Sequence, residues 1–382
     1  MPNSNVHALF SATALSPGSV ETVPDTLRLL RERLGLTRTE LAKKVGRTGA
    51  FVGQSEKVSK TLGPHDLAVY AQALQVPAST LGMPLPETDP EGIHFRSNKI
   101  VVKKQRQIIA KANVISHALT CALDLVHTVQ TPDLPEYNVA DFPDGAEGVA
   151  RQLRIDFAMG EGPAPYVAQF IEQHGGFVCT LPDAVEGVRG MTLRRNEFPG
   201  GPLVLVSDQI GNETRRFTLA HELGHLVMDR FSPTADQQEV ERRADRFAGE
   251  FLAPYDQVRT DIAGRTPGHD LPRVLNLRAR WGLHPKSFVQ RAFLGGDLTE
   301  RQRVAWFQAL NARTAQIASL PPVFPVQMTT LPALLRGLHE VGHSPELLAA
   351  TVGFNNNELR ASIDGWDDTV PAPAQPLRLV RT

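Results

Sequence analysis

Leu27, Leu30 and Leu34, then Leu41, Ala42 and Val45, recur at the three-to-four-residue spacing of amphipathic helices. Gly35 and Gly46 punctuate them. Thr37 with Glu40 three residues later predicts a capped helix start. Further short helices are expected over Thr48–Lys57, weakly over Val58–Thr61, and over Pro64–Leu74. After a Pro- and acid-rich stretch, one long helix is expected over Lys103–Val129. Helical spacing resumes over Ala146–Phe157 and Ala164–His174. Phe177–Leu181, Val188–Leu193 and Leu203–Val206 are short runs rich in Val, Leu and Phe, and predict strands. Beyond Glu213 the spacing is helical nearly throughout. The pattern predicts an α+β, mostly helical chain with a small sheet. Its expected division is a tail at 1–20, a helical module at 21–82, a linker at 83–102, a core domain at 103–295, a C-terminal helical domain at 296–366 and a flexible tail at 367–382.

Composition changes this picture little. Of 382 residues, 40 are Lys or Arg and 41 Asp or Glu, so net charge points to no partner until the charges are located. They cluster: Arg96, Lys99, Lys103, Lys104, Arg106 and Lys111 form a basic stretch, and acids dominate from Cys121 to Gly162. The basic stretch leaves room for nucleic-acid contact, or is simply a solvated face. Two cysteines, Cys121 and Cys179, are too few for a disulfide framework or a thiolate zinc site. The first 20 residues lack the charged start and long apolar run of a secretory signal. With no long uninterrupted apolar run, the expectation is a cytoplasmic protein that does not span a membrane.

The chemistry concentrates at Thr218-Leu-Ala-His221-Glu222-Leu-Gly-His225. On a helix, residues four apart share a face, so His221 and His225 can offer two imidazole nitrogens to one cation. Zn2+ suits neutral imidazole and tetrahedral geometry. Glu222, one step round the helix, can take a proton from a water activated by that metal. Downstream, Glu239-Val-Glu241-Arg-Arg-Ala-Asp245 continues to Pro254 as a second helix. Glu241 can supply a third ligand. Asp245, four residues on, can hydrogen-bond a ligand histidine and hold its tautomer. Glu239 and Glu250 lack a carboxylate one turn later and are weaker candidates. The strand candidate ahead of the histidine helix, Leu203–Val206, offers an edge on which an extended peptide could pair. His339-Glu-Val-Gly-His343 repeats the histidine spacing. There Ser344-Pro345 starts a new helix and no acidic helix follows, so flanking surface histidines are the preferred reading.

The segments Arg216–His225, Glu241–Ala248 and Phe251–Pro254 resemble the ImmA/IrrE family of zinc metallopeptidases, over about 95–295. The resemblance implies a zincin-like (gluzincin) core with Zn2+ held by His221, His225 and Glu241, and Glu222 as general base. It also implies a substrate class: helix-turn-helix repressors, often those of mobile elements or stress genes. Arg243 stands where the family often has Glu. The N-terminal segment, Leu36–Gly46 followed by Ala50–Glu56, resembles the Cro/repressor (XRE) helix-turn-helix. That resemblance implies an operator-binding module in which Gln54 reaches a base edge and Arg38, Thr48 and Lys57 hold phosphates. Ser55 and Val58 depart from the usual apolar residue and glycine. Leu331–Ile363, with Ser344–Gly353 as its core, looks like a second, weaker helix-turn-helix and is expected to be a packing element.

Two readings follow. One is a zinc endopeptidase fused to a DNA-binding domain, regulating transcription by cleaving a repressor, binding an operator, or both. The other is a DNA-binding regulator or antitoxin-like protein with a non-catalytic zinc site. A homodimer is compatible with either.

Overall fold

Residues 19–85, 93–97, 101–126, 128–129, 133–181, 188–194, 201–232, 236–340 and 380–381 are described by a computed structural model. Its first unit is a cluster of short helices: α1 (Pro24–Arg33), α2 (Arg38–Lys44), α3 (Gly49–Ser55) and α4 (Pro64–Leu74). Proline opens α1 and α4, where its missing N–H costs nothing. The expected capping box is present: Glu40 N–H donates to Thr37 Oγ1 at 3.2 Å, and Thr37 N–H to Glu40 Oε2 at 2.6 Å. Gly46, at φ +63°, ends α2 in the left-handed region that glycine adopts without strain. Leu27, Leu30, Leu41, Val52, Tyr70 and Leu74 form the centre of this unit. The weak helix expected over Val58–Thr61 is absent. That stretch turns into strand β2 (Thr61–Leu62), which pairs antiparallel with β1 (Val20–Glu21).

Ser55, which departs from the usual apolar residue, is buried and donates its hydroxyl to Phe51 O at 3.0 Å. Its polarity is thereby satisfied inside the helix. Beside it the buried Glu56 carboxylate accepts from Arg31 on α1 and Arg38 on α2. Burial opposes the charge, and the two guanidinium groups hold the carboxyl below its ordinary pKa. This ion triad ties the three helices together.

The second unit is built on a four-stranded sheet of order β3-β6-β7-β5: β3 (Ile93–Ser97), β5 (Phe177–Leu181), β6 (Val188–Leu193) and β7 (Leu203–Ser207). β5 runs parallel to β7, and the other pairs are antiparallel. Two findings differ from the sequence expectations. Ile93–Ser97, assigned to the linker, is an edge strand, because its backbone completes the open side of β6. The β7 strand, expected to present an edge to a peptide, lies inside the sheet with both sides paired. Both sheet faces are covered, which is why the strands read as continuous apolar runs.

One face, including Cys179, Met191, Leu193 and Leu205, packs with α5 (Val102–Leu125) and α14 (Thr330–Glu340). α5 also packs on α1, so the helix-turn-helix unit and this face of the sheet share one core. By length and composition α5 could cross a bilayer, but 78% of its apolar window is buried inside the protein. It ends before the expected Val129; Thr128–Val129 is instead a short strand, β4, paired with β8 (Val380–Arg381).

The other face, including Val178, Val204 and Val206, packs with α6 (Ala146–Asp156), α7 (Val167–Gln173), α8 (Asn212–Met228) and α9 (Gln237–Leu252). α10 (Pro267–Trp281), α11 (Pro285–Leu294), α12 (Glu300–Asn311) and α13 (Thr314–Ala318) extend the same core through Trp281, Phe288, Trp306, Leu310 and Ile317. The division expected at 295/296 therefore marks no separate core. Pro321, Pro322 and Pro325 lie in a loop fastened to α8: Asn212 Nδ2 donates to Val323 O at 3.0 Å and its Oδ1 accepts from Val326 N–H at 2.9 Å. Residues 1–18, the repeated motif beyond Glu340, Ser344–Gly353 and most of the tail expected at 367–382 lie outside the described residues.

Candidate metal centre

α8 follows β7 after a short loop and runs back along the sheet, in contact with β6 and β7. From Thr218 to Met228 it is buried. Near its start the buried Arg216 donates to the backbone oxygens of Ala164, Trp281 and Gly282 at 2.6–2.9 Å. Burial pulls the pKa of that guanidinium down to about 10. α9 opens at Asp236, whose carboxylate accepts from Gln238 N–H at 2.9 Å. It lays Ala244, Phe247, Ala248 and Phe251 against α8. The approach depends on Gly224: a Cβ there would sit 2.9 Å from the Phe247 ring. The glycine inside the His-Glu-Leu-Gly-His stretch thus lets the second helix come close enough to share a site.

The two Nε2 atoms of His221 and His225 lie 3.0 Å apart. Glu241, from α9, places Oε2 3.3 Å from His221 Nε2 and Oε1 3.5 Å from His225 Nε2. Both histidines are buried, while the Glu241 side chain is 40% exposed, so solvent reaches the cluster from the α9 side. A cation bound tetrahedrally at about 2.0–2.1 Å from each donor separates the donors by roughly 3.3–3.4 Å. The observed spacings fit such an ion after small adjustments. His221, His225 and Glu241 are the one group among the described residues whose donor atoms converge in this way, and no fourth His, Cys, Asp or Glu joins them.

Each imidazole is held from behind. His221 Nδ1 is 2.8 Å from Asp245 Oδ1, the partner expected from the spacing on α9. His225 Nδ1 is 2.7 Å from Asp229 Oδ2, one turn further along α8. Asp229 was readable as a His-to-Asp step of four residues, and sequence reasoning passed over it. Arg194 donates to His225 O at 2.6 Å and Leu226 O at 3.0 Å, satisfying carbonyls at the end of α8. Glu222 is fully buried; its Oε2 accepts from Thr192 Oγ1 on β6 at 2.7 Å. No sequence signal marks Thr192, because strand pairing alone brings it under α8.

Burial acts against a charged His225, but hydrogen bonds to Asp229 and Glu241 and the Glu222 charge hold its pKa up at about 10. Burial also disfavours ionised Glu241, yet the two histidines hold its carboxyl far below the ordinary range. In the absence of metal the cluster therefore keeps a proton where a cation would sit.

The candidate DNA-contacting residues lie on the first unit, Arg38 on α2 and Thr48, Gln54 and Lys57 on or beside α3. Arg38 opens α2 and its Nε donates to Glu56 Oε2 at 2.8 Å, with the side chain 48% exposed. Thr48 caps α3, its Oγ1 accepting from Phe51 N–H at 3.2 Å. Gln54 at the end of α3 and Lys57 just beyond it are exposed.

Comparison with known families agrees with both units. Residues 171–293 match the family model described as the IrrE N-terminal-like domain. Residues 25–81 match a helix-turn-helix domain model. No curated protein matches the chain. The chain is a helix-turn-helix module fused to a domain of the ImmA/IrrE kind, so it joins a DNA-binding type of fold to a peptidase-like one.

Proposed function

We propose that this protein is a zinc-dependent endopeptidase tethered to a DNA-binding domain. The observation that carries the reading is the convergence of His221, His225 and Glu241 beside the buried Glu222. The donor set of two imidazoles and a carboxylate is one that Zn2+ accepts. Three protein donors, with no fourth among the described residues, favour a catalytic centre over a structural one, which closes its sphere with four.

His221, His225 and Glu241 would hold the ion, and Asp245 and Asp229 would keep the imidazoles oriented with Nε2 forward. Bound there, Zn2+ supplies Lewis acidity, polarising the scissile carbonyl and acidifying water. Glu222 takes the proton from the attacking water and returns it to the leaving amine nitrogen, so the peptide C–N bond breaks as a C–O bond forms. An extended substrate would pair along β3, which among the described strands is the sheet edge that contacts α8.

The substrate we infer is a repressor-type helix-turn-helix protein. Operator binding through Arg38, Thr48, Gln54 and Lys57 would raise its effective concentration near the peptidase. The expected compartment is the cytoplasm, where the thiols of Cys121 and Cys179, which form no disulfide, stay reduced. The test uses the zinc-loaded full chain and its Glu222→Gln variant on a co-encoded helix-turn-helix repressor. Glu222→Gln is expected to keep zinc and to lose cleavage by about 10^2–10^4-fold. Equal cleavage by the two proteins would remove the catalytic claim.

A further inference from the structure

Among the described residues, four glutamates have buried carboxylates that can be compared, and three of them are bonded at both oxygens. Glu56 accepts from Arg31 and Arg38. Glu172 accepts from the backbone of Thr329 and Thr330 and from the Thr329 hydroxyl. Glu250 accepts from Arg151, Arg291 and Tyr255 N–H. Glu222 differs. Its Oε2 takes the Thr192 hydroxyl at 2.7 Å, and its Oε1 has no hydrogen-bond partner among the described residues although it is buried. An orphaned carboxylate oxygen in a protein interior is costly, so its persistence calls for a reason.

Thr192 is placed by backbone pairing. It stands on an interior strand, opposite His94 of β3 on one side and Val204 of β7 on the other. Its neighbours Met191 and Leu193 point into the opposite core, which locks the strand's facing. Two residues earlier, Gly190 leaves space beneath the open oxygen: a Cβ there would lie 3.3 Å from Glu222 Oε1 and only 2.5 Å from Thr218 Cγ2. One alternate position on β6 thus grips the carboxylate, and the next one down clears room beside it.

We propose that Thr192 is the positioning residue for Glu222: it ties down one oxygen so that the other stays open as the proton acceptor. This rests on the zinc-peptidase reading above. The inference concerns how Glu222 is held, and it can be read without turnover. A hydroxamic acid gives up a proton when it chelates a metal, and an adjacent carboxylate can accept that proton. Azide binds a metal as an anion and gives up none.

The experiment loads the full chain with Co2+ and titrates it with acetohydroxamic acid and, separately, with azide, following the visible cobalt bands. Thr192→Val, Thr192→Ser and Glu222→Gln are compared with wild type, with melting temperature and cobalt content as controls. Thr192→Val is expected to weaken acetohydroxamate by about 10-fold or more, the scale of a lost hydrogen bond to a charged group. Azide affinity should hold, Thr192→Ser should recover most of the lost hydroxamate affinity, and Glu222→Gln should show the larger loss. Unchanged hydroxamate binding in Thr192→Val overturns the proposal. So does an equal loss of both ligands, which would make Thr192 a packing residue. If wild type takes up no cobalt, the metal reading itself fails and the proposal falls with it. If cobalt binds but Glu222→Gln leaves hydroxamate unaffected, Glu222 is no proton acceptor there.

Discussion

The candidate metal centre and the candidate DNA-contacting surface of the helix-turn-helix unit are built on opposite plans. At the centre, His221, Glu222 and His225 are buried and their orientations are fixed by Asp245, Thr192 and Asp229 before any ligand arrives. On the first unit the supporting Glu56 is buried, but Gln54 and Lys57 are exposed, and Arg38 divides its side chain between Glu56 and solvent. The difference matches the chemistry proposed for each. Bond breaking needs reacting groups aligned in advance, whereas long side chains on a surface can settle onto phosphates as they meet them.

The largest expected effect tests whether the buried group acts as a unit. His221→Ala or His225→Ala should reduce zinc in the purified protein from full occupancy to background, measured by elemental analysis, while His339→Ala keeps it. Loss of zinc in His339→Ala would move the site to the second motif. Next, Asp229→Asn and Asp245→Asn should each weaken zinc by about 10–100-fold in a chelator competition. Their DNA affinity should stay that of wild type, because neither residue lies on the first unit.

The pH dependence of zinc uptake sharpens the same point. His225 is held protonated up to about pH 10 in the metal-free protein, so zinc must displace that proton. Apparent affinity should therefore rise with pH between 6 and 9, by at most about tenfold per unit. The sign for stability is opposite. A histidine pKa raised on folding contributes stability that is fully present below its unfolded value and is lost as pH rises through about 10. Metal-free protein should then lose melting temperature toward that pH, and a flat profile would show that His225 is not held charged.

On the exposed side the effects should be smaller. Gln54→Ala should cost about 1–3 kcal/mol of discrimination between operator and mixed-sequence duplex. Lys57→Ala should weaken all duplexes alike and reduce the salt slope of binding by about one. Discrimination that survives Gln54→Ala would place base reading elsewhere on α3.

Much of this molecule is written in local pattern. Thr37 and Glu40 specify a capped helix, the spacing of His221 and His225 puts both on one helical face, and the strands at 177–181 and 188–193 are bounded where their apolar runs end. Glu241 and Asp245 were legible for the same reason, since a helix repeats its faces every four residues. Other features depend on which distant segments meet. Ile93–Ser97 becomes an edge strand only because β6 has an open side, and Leu203–Ser207 is interior only because β5 arrives in parallel beside it. Thr192 reaches Glu222 across thirty residues of chain through strand register. Helical periodicity is a property of neighbouring residues and can be read along the chain; sheet order and the grip on Glu222 come from long-range pairing, which packing decides.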